Sequence, residues 1–219
     1  SMLRVSSNPI KITPGFPRTQ QYLRSLPQAR TMEEIEKGAQ SGQGQNQPSP
    51  TASGTYQSNI PNPSGLRTYS NGGLSVNIPS NWRDFPEQDQ SSVQITFAPN
   101  GAFGNQGITH GALIGVQKGN GGNLQQEFDA YVKSILQGNT YLQARNNYTN
   151  ASLNGRNGYG IVLGGRSPIT NKNEIARIYG TQTNNGSLLY LVLVVPEDQA
   201  SRYNNTFNNI YRSLRLSDR

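Results

Sequence analysis

The chain has no cysteine and only one histidine, His110, among its 219 residues. The first absence excludes a disulfide framework, a thiolate zinc site and a cysteine nucleophile. The second is nearly as restrictive. A zinc site needs three or four His, Cys or carboxylate ligands, and one imidazole does not anchor such a set here. Serine hydrolase chemistry needs a base beside the nucleophile, so only a Ser–His110 pairing is available, and no Gly-x-Ser-x-Gly elbow accompanies it. Charge is also scarce. Lys, Arg, Asp and Glu make up 14% of the chain, and Asn and Gln take much of their place. Such a polar but weakly charged composition leans toward an extracytoplasmic setting. No stretch approaches the roughly 18 apolar residues of a membrane span. No signal peptide is visible, and Ser1-Met2 reads as a remnant ahead of a trimmed chain, so any targeting segment is expected upstream.

The net charge of +7 divides evenly along the chain. Residues 1–64 hold six basic and three acidic side chains, and residues 65–219 hold thirteen and nine. The basic residues are scattered, with one small group at Arg212, Arg215 and Arg219. Nucleic-acid binding calls for a clustered stripe or patch, so no nucleic-acid partner is expected.

Three regions follow from the distribution of apolar residues. Residues 16–26 read as a short helix with Pro17 in its first turn and Tyr22, Leu23 and Leu26 on one face. A second helix begins at Thr31, whose capping box is completed by Glu34, and ends at Gly38. Helices this short are marginal alone, so 1–38 is expected to continue from an upstream domain. Residues 39–64 are rich in Gln, Ser, Pro and Gly and bury too little apolar surface to offset ordering entropy. They read as a flexible linker. Residues 65–219 form the expected globular domain, a usual size for an independent fold.

Within that domain, Leu66–Tyr69 and Gly73–Ile78 read as strands joined by a turn at Asn71-Gly72. Pro79 to Trp82 turns the chain out, and Asp84, Glu87 and Asp89 read as a solvated loop. Further strands are expected around Val93–Phe97 and over Ile108–Gln117. Asn123 caps a helix with Gln126 as reciprocal partner, and Gly138 terminates it. Strands over Tyr141–Thr149, Gly158–Leu163, Ile175–Thr183 and Ser187–Val195 follow. The last is nearly continuous in apolar residues and should be a central strand covered on both faces. A final amphipathic helix starts after Pro196. Strands, helix, strands, helix, with tight hairpins, spell an α+β fold: an antiparallel sheet with packed helices.

The candidate site residues are few. His110 has two readings, a strand histidine bonded to a neighbour or a pH-sensitive, ligand-contacting group. Trp82, Phe85 and Phe103 flank loops beside strands, where aromatics either plug the end of the core or build a binding patch, with Trp82 and Phe103 the candidates for contact. Gly115 to Gly122 contains Lys118 and precedes a helix, but its spacing is not that of a phosphate-binding loop. The Asn-x-Ser/Thr triplets at Asn147, Asn150, Asn185 and Asn204 are accounted for by the abundance of Asn. No catalytic, cofactor-binding or metal-binding residue is expected, and no cofactor.

Two resemblances add to this reading. The strand–helix–strand–helix order of 65–219, with LNGRNGYGIVLGG at Leu153–Gly165 and a terminal amphipathic helix, resembles the PsbP/Mog-type α+β fold. MLRVSSNPI (Met2–Ile10), YLRSLPQART (Tyr22–Thr31), VNIPSNWRDF (Val76–Phe85), TFAPNGAFG (Thr96–Gly104) and THGALIGV (Thr109–Val116) together resemble the C-terminal region that follows the catalytic domain in some bacterial zinc metallopeptidases. These are similar to HtpX and the CaaX prenyl proteases, peptidase family M-48. That family's His-Glu-x-x-His motif is absent here, so no catalytic residue carries over. The resemblance implies a proteolytic centre upstream and a non-catalytic accessory domain here, periplasmic or secreted. The upstream catalytic domain would then be its partner. The alternative is a stand-alone extracytoplasmic module that binds a small ligand, a protein or peptide, or an envelope component.

Overall fold

The computed structural model describes residues 56–217. The helices expected over 16–26 and 31–38, and the first part of the expected linker, lie outside the described residues.

The domain is α+β. Its element order is β1 (Arg67–Asn71), β2 (Leu74–Ile78), β3 (Trp82–Gln88), β4 (Ser92–Pro99), β5 (Phe103–Gly104), β6 (Gly107–Ile108), β7 (Gly111–Gln117) and α1 (Leu124–Gly138). Next come β8 (Gln143–Ala144), β9 (Thr149–Leu153), β10 (Arg156–Arg166), β11 (Asn173–Gln182) and β12 (Leu188–Pro196). A 3₁₀ turn (Glu197–Gln199), α2 (Ala200–Ser213) and β13 (Arg215–Leu216) close the chain. One large sheet runs β3-β4-β7-β12-β11-β10-β8, with β9 also on β10. Every pairing is antiparallel. A smaller sheet has the order β1-β2-β13.

β12 is central, as its apolar run predicts, and all nine residues are buried. Its side chains alternate between two cores, because successive residues of a strand point to opposite faces. Leu188, Tyr190, Val192 and Val194 face α1, through Phe128, Tyr131, Val132 and Ile135. Leu189, Leu191, Leu193 and Val195 face α2 and the small sheet, through Tyr203, Phe207, Ile210 and residues of β2. The sheet is therefore the middle of three layers.

Local chemistry sets the boundaries. Asn123 Oδ1 accepts from Gln126 N, and Gln126 Oε1 accepts from Asn123 N, so both halves of the capping box form. The β1–β2 loop is Gly72-Gly73 with φ of 56° and 89°. Both residues sit in the left-handed region that a two-residue primed hairpin turn requires. The same solution joins β9 to β10 at Asn154-Gly155.

Four local expectations differ from the structure. Residues 82–88 are an edge strand, not a solvated loop. Asp84 and Pro86 hid it, since both are poor strand formers, and an edge strand tolerates a proline that donates nothing outward. The strand expected over Ile108–Gln117 breaks at Thr109-His110, where Gly111 takes a φ of 142°. Its Cβ position is closed by the Phe97 carbonyl, which only glycine accommodates. In the region 141–149 only Gln143–Ala144 is strand, and pairing resumes at Thr149. Residues 56–64, inside the expected linker, run along the domain. Tyr56 Oη donates to the Gly107 carbonyl at 2.8 Å and accepts from Gln106 N at 2.9 Å. Gln57 N donates to the Gly101 carbonyl, and Asn81 Oδ1 accepts from Ser64 N. Backbone groups, one tyrosine and the Asn81 side chain make these bonds, so hydropathy alone does not reveal them.

Asn123→Ala removes an acceptor from the first turn of α1 and is expected to cost about 1 kcal/mol. A lowered urea midpoint with an unchanged m-value is the expected readout.

Candidate functional site

The site begins with the only imidazole. His110 sits in the bend before β7 and is 3% exposed. Thr109 Oγ1 lies 2.9 Å from Nδ1, and Gln199 Oε1 lies 3.0 Å from Nε2. An amide oxygen accepts only, so the proton belongs on Nε2, and the Thr109 hydroxyl donates to Nδ1. Both ring nitrogens are thus engaged in bonds that tie the β6–β7 corner to the 3₁₀ turn before α2. Burial pushes the imidazole pKa down to about 4, with Lys172 acting in the same direction and Gln199 and Asp198 against it.

Trp82 is 2% exposed, and its ring lies 6.4 Å from that of Tyr203. The Tyr203 ring is 5.6 Å from that of His110. Trp82 and His110 therefore converge on one tyrosine of α2, inside the core between the sheet and that helix. Phe103 lies on the other side of the sheet. It is 8% exposed and meets Phe85 edge-on at 4.9 Å, with the Arg83 guanidinium over both rings. The three candidates do not form one patch, and neither aromatic ring presents a free face to solvent.

The acidic group dissolves in the same way. Asp84 pairs with Arg67 at 2.9 Å, and Asp89 Oδ1 accepts from the backbone of Ser91 and Ser92. Glu87 is buried with Gln94, whose Oε1 accepts from Tyr190 at 2.6 Å. The glycine-rich loop before α1 is occupied internally. Glu127 Oε2 accepts from Asn120 N at 2.8 Å and Gly122 N at 2.9 Å. A carboxylate of the chain itself takes the backbone donors that a phosphate would need. Among the described residues, no group of three or more His, Cys, Asp and Glu side chains is placed to hold a metal.

A different surface collects chemistry that sequence reading missed. On the α2 side of the sheet, β10 presents Gly158, Gly160, Val162 and Gly164, opposite Thr181, Tyr179, Arg177 and Ile175 of β11. The glycines leave flat floor. A Cβ at 160 would meet the Tyr179 ring at 3.0 Å, and one at 164 would meet Arg145 Nε at 2.5 Å. Tyr179 and Arg145 thus lie down on the strand where side chains would otherwise stand. Tyr179 also packs against Tyr211 of α2 at 4.6 Å, and Arg145 reaches Glu197 at 3.1 Å. The period-two recurrence of glycine in Gly158–Gly164 was the available signal.

No family profile matches the chain. No curated protein matches it either. Among solved structures, it is similar to cyanobacterial PsbP from Synechocystis, at 15% identity over 70% of this chain and 94% of that one, with a TM-score of 0.49. It is also similar to the Ran-binding protein Mog1p of Saccharomyces cerevisiae, at 10% identity over 71% and 97%, with a TM-score of 0.42. A third is LpqN of Mycobacterium tuberculosis, involved in cell envelope biogenesis, at 10% identity over 70% and 91%, with a TM-score of 0.42. PsbP and Mog1p bear the names of the group that the strand–helix order resembles. The α+β class itself stands on the antiparallel topology.

The buried neutral His110 makes stability depend on pH. Its folded pKa lies below the unfolded value of about 6.5, so the unfolded chain binds the proton first and stability falls as pH drops from 6.5 toward 4. Between pH 7 and pH 5 this contributes a loss of about 2 kcal/mol. His110→Gln is expected to remove that increment, measured as a smaller drop in unfolding free energy between the two pH values.

Proposed function

We propose that this chain carries a non-catalytic accessory domain that acts by contacting other macromolecules. One observation carries the proposal: both nitrogens of the only imidazole are engaged, by Thr109 and Gln199, in the packing of α2. Two of the three carboxylates after Trp82, Asp84 and Asp89, are held too, by Arg67 and by backbone amides. Groups committed to holding loops in place are poor agents of proton transfer or metal binding.

The finer reading places the domain beside an extracytoplasmic zinc metallopeptidase, with the catalytic domain upstream in the same polypeptide. It rests on the sequence resemblance to the C-terminal regions of such enzymes and on the low charge of the chain. The alternative, a stand-alone extracytoplasmic module for a protein or peptide ligand, draws support from the Arg- and Tyr-bearing face of β10 and β11. In either case the domain includes Tyr56, whose hydroxyl bonds pin the chain to the β5–β6 hairpin.

Purified chain incubated with zinc and unfolded casein is expected to release no more peptide than the metal-free control. Zinc-dependent cleavage by this chain would overturn the non-catalytic reading. Mass spectrometry of the polypeptide captured from cells of the source organism with an antibody to this chain is expected to find His-Glu-x-x-His in the same molecule. A captured polypeptide without that motif would remove the peptidase link and leave the stand-alone module.

A further inference from the structure

Neither helix covers the whole of the large sheet. α1 packs on β10, β11 and β12 from one side, whereas α2 packs on β12 and β2 from the other. On the α2 side the outer strands are covered by side chains: Tyr211 of α2 lies on Tyr179 and reaches Ser152 N of β9, and Arg145 lies over Gly164 of β10. Val162, Arg177 and Tyr179 are accordingly only half-buried, at strand positions whose opposite faces are in the core.

The electrostatics of this face are unbalanced. Arg177 forms no ion pair among the described residues, and its Nε–H is buried without an acceptor. The guanidinium lies against the Tyr179 phenol, whose pKa is raised by burial and lowered in part by that contact. A carboxylate meeting the accessible part of the half-buried Arg177 side chain would pair a guanidinium that has no ion pair among the described residues. Arg145 stands in the same row. Its backbone N–H bonds to the Val162 carbonyl, Val162 is the register partner of Arg177, and its guanidinium lies over Gly164. The two arginines flank Val162 on one face, two strand spacings apart, or about 10 Å between backbones.

We propose that this face is a docking surface for an acidic peptide segment of a protein partner, with Arg177 and Arg145 receiving two of its carboxylates. The spacing argues for a peptide over a lone anion. A polyproline II chain has three residues per turn and rises about 3.1 Å per residue, so acidic residues three apart lie on one side of it about 9 Å apart, close to the separation of the arginines, which one small anion cannot bridge. The glycines let Tyr179 and Arg145 lie flat on β10, which keeps the face low, and Tyr179 and Tyr211 supply apolar surface beside the arginines. Glu197, now paired with Arg145, is exposed enough to yield its place to a partner's carboxylate. The balance of charge fits as well: described residues hold twelve Lys and Arg against eight Asp and Glu. This inference rests on the reading of the chain as an interaction domain and gives that reading a surface and a partner chemistry.

The test is an NMR titration of the full ¹⁵N-labelled chain with an unstructured peptide carrying Glu at every third position. Saturable shifts are expected at Arg145, Val162, Arg177 and Tyr179, weakening as salt is raised. Arg177→Gln is expected to weaken binding at least tenfold. Because that change touches a partly buried side chain, Arg145→Gln, on a more exposed residue, is a second variant, expected to weaken binding severalfold with thermal stability unchanged. Arg212→Gln, an equal loss of charge on α2, should leave affinity within twofold. The proposal is overturned if the shifts map elsewhere, or if both arginine variants bind like the parent. It is also overturned if inorganic phosphate reproduces the shifts at equal affinity. Equally, if neutralising Glu33, Glu34 and Glu36 moves the same resonances before peptide is added, the occupant is the chain's own acidic stretch. Peptide binding at another surface would sink this site while leaving the interaction-domain reading standing.

Discussion

Everything in this domain is arranged around one strand that must be kept dry on both sides. β12 lies between β7 and β11 and carries nine buried residues, eight of them large and apolar. Each large apolar side chain withdrawn from water contributes about 1.5–3 kcal/mol before entropy is counted. Such a strand is stable only if something apolar covers each face. That requirement calls for two cores instead of one and explains why the chain supplies α1 for one face and α2 with the β1–β2 hairpin for the other. The last strand, β13, then pairs with β2 and ties the carboxyl end into the same layer.

The polar residues inside follow from that architecture. A sheet with two covers has corners where backbone groups and side chains leave solvent together, and these must find partners. His110 does so by joining Thr109 to Gln199 at the corner leading into α2. Glu127 does so by collecting the amides of the loop that opens α1. Tyr190 stacks on Tyr131 at 4.2 Å and spends its hydroxyl on Gln94. Gly115 leaves the room this needs, since a Cβ there would collide with the Tyr190 hydroxyl. Residue types that elsewhere carry reactions are absorbed here in holding layers together. On the α2 side of β10 and β11 the same architecture brings Arg145, Arg177, Tyr179 and Tyr211 together.

The long strands and both helices of this region were legible in the order of residues, because their patterns are periodic. Alternation marks β2 and β4, the continuous apolar run marks β12, and the Asn123–Gln126 box marks the start of α1 to the residue. Elements whose stability comes from neighbours were not legible. β3 has Asp84 and Pro86 in its middle and exists because β4 offers it an edge. β9 is short, mostly exposed, and held by β10 and by the Tyr211 hydroxyl on Ser152 N. Residues 56–64 have the composition of a linker and are fixed by hydrogen bonds to two distant loops, at 101–107 and at 80–81.

Site residues divide along the same line. That one imidazole and no thiol limit the available chemistry follows from composition, which no folding can change. Whether Trp82, Phe103 and His110 share a surface does not follow from it. The antiparallel order sends Phe103 to one core and the other two toward Tyr203 in the opposite core, and strand parity decides which. The row formed by Arg145, Val162 and Arg177 is likewise invisible in one dimension, since those residues become neighbours only through the pairing of β10 with β11 and with the segment after β8. Local periodicity and residue inventory are properties of the chain itself; cross-strand adjacency and burial belong to the assembled sheet, because only there do distant segments share a face and exclude water.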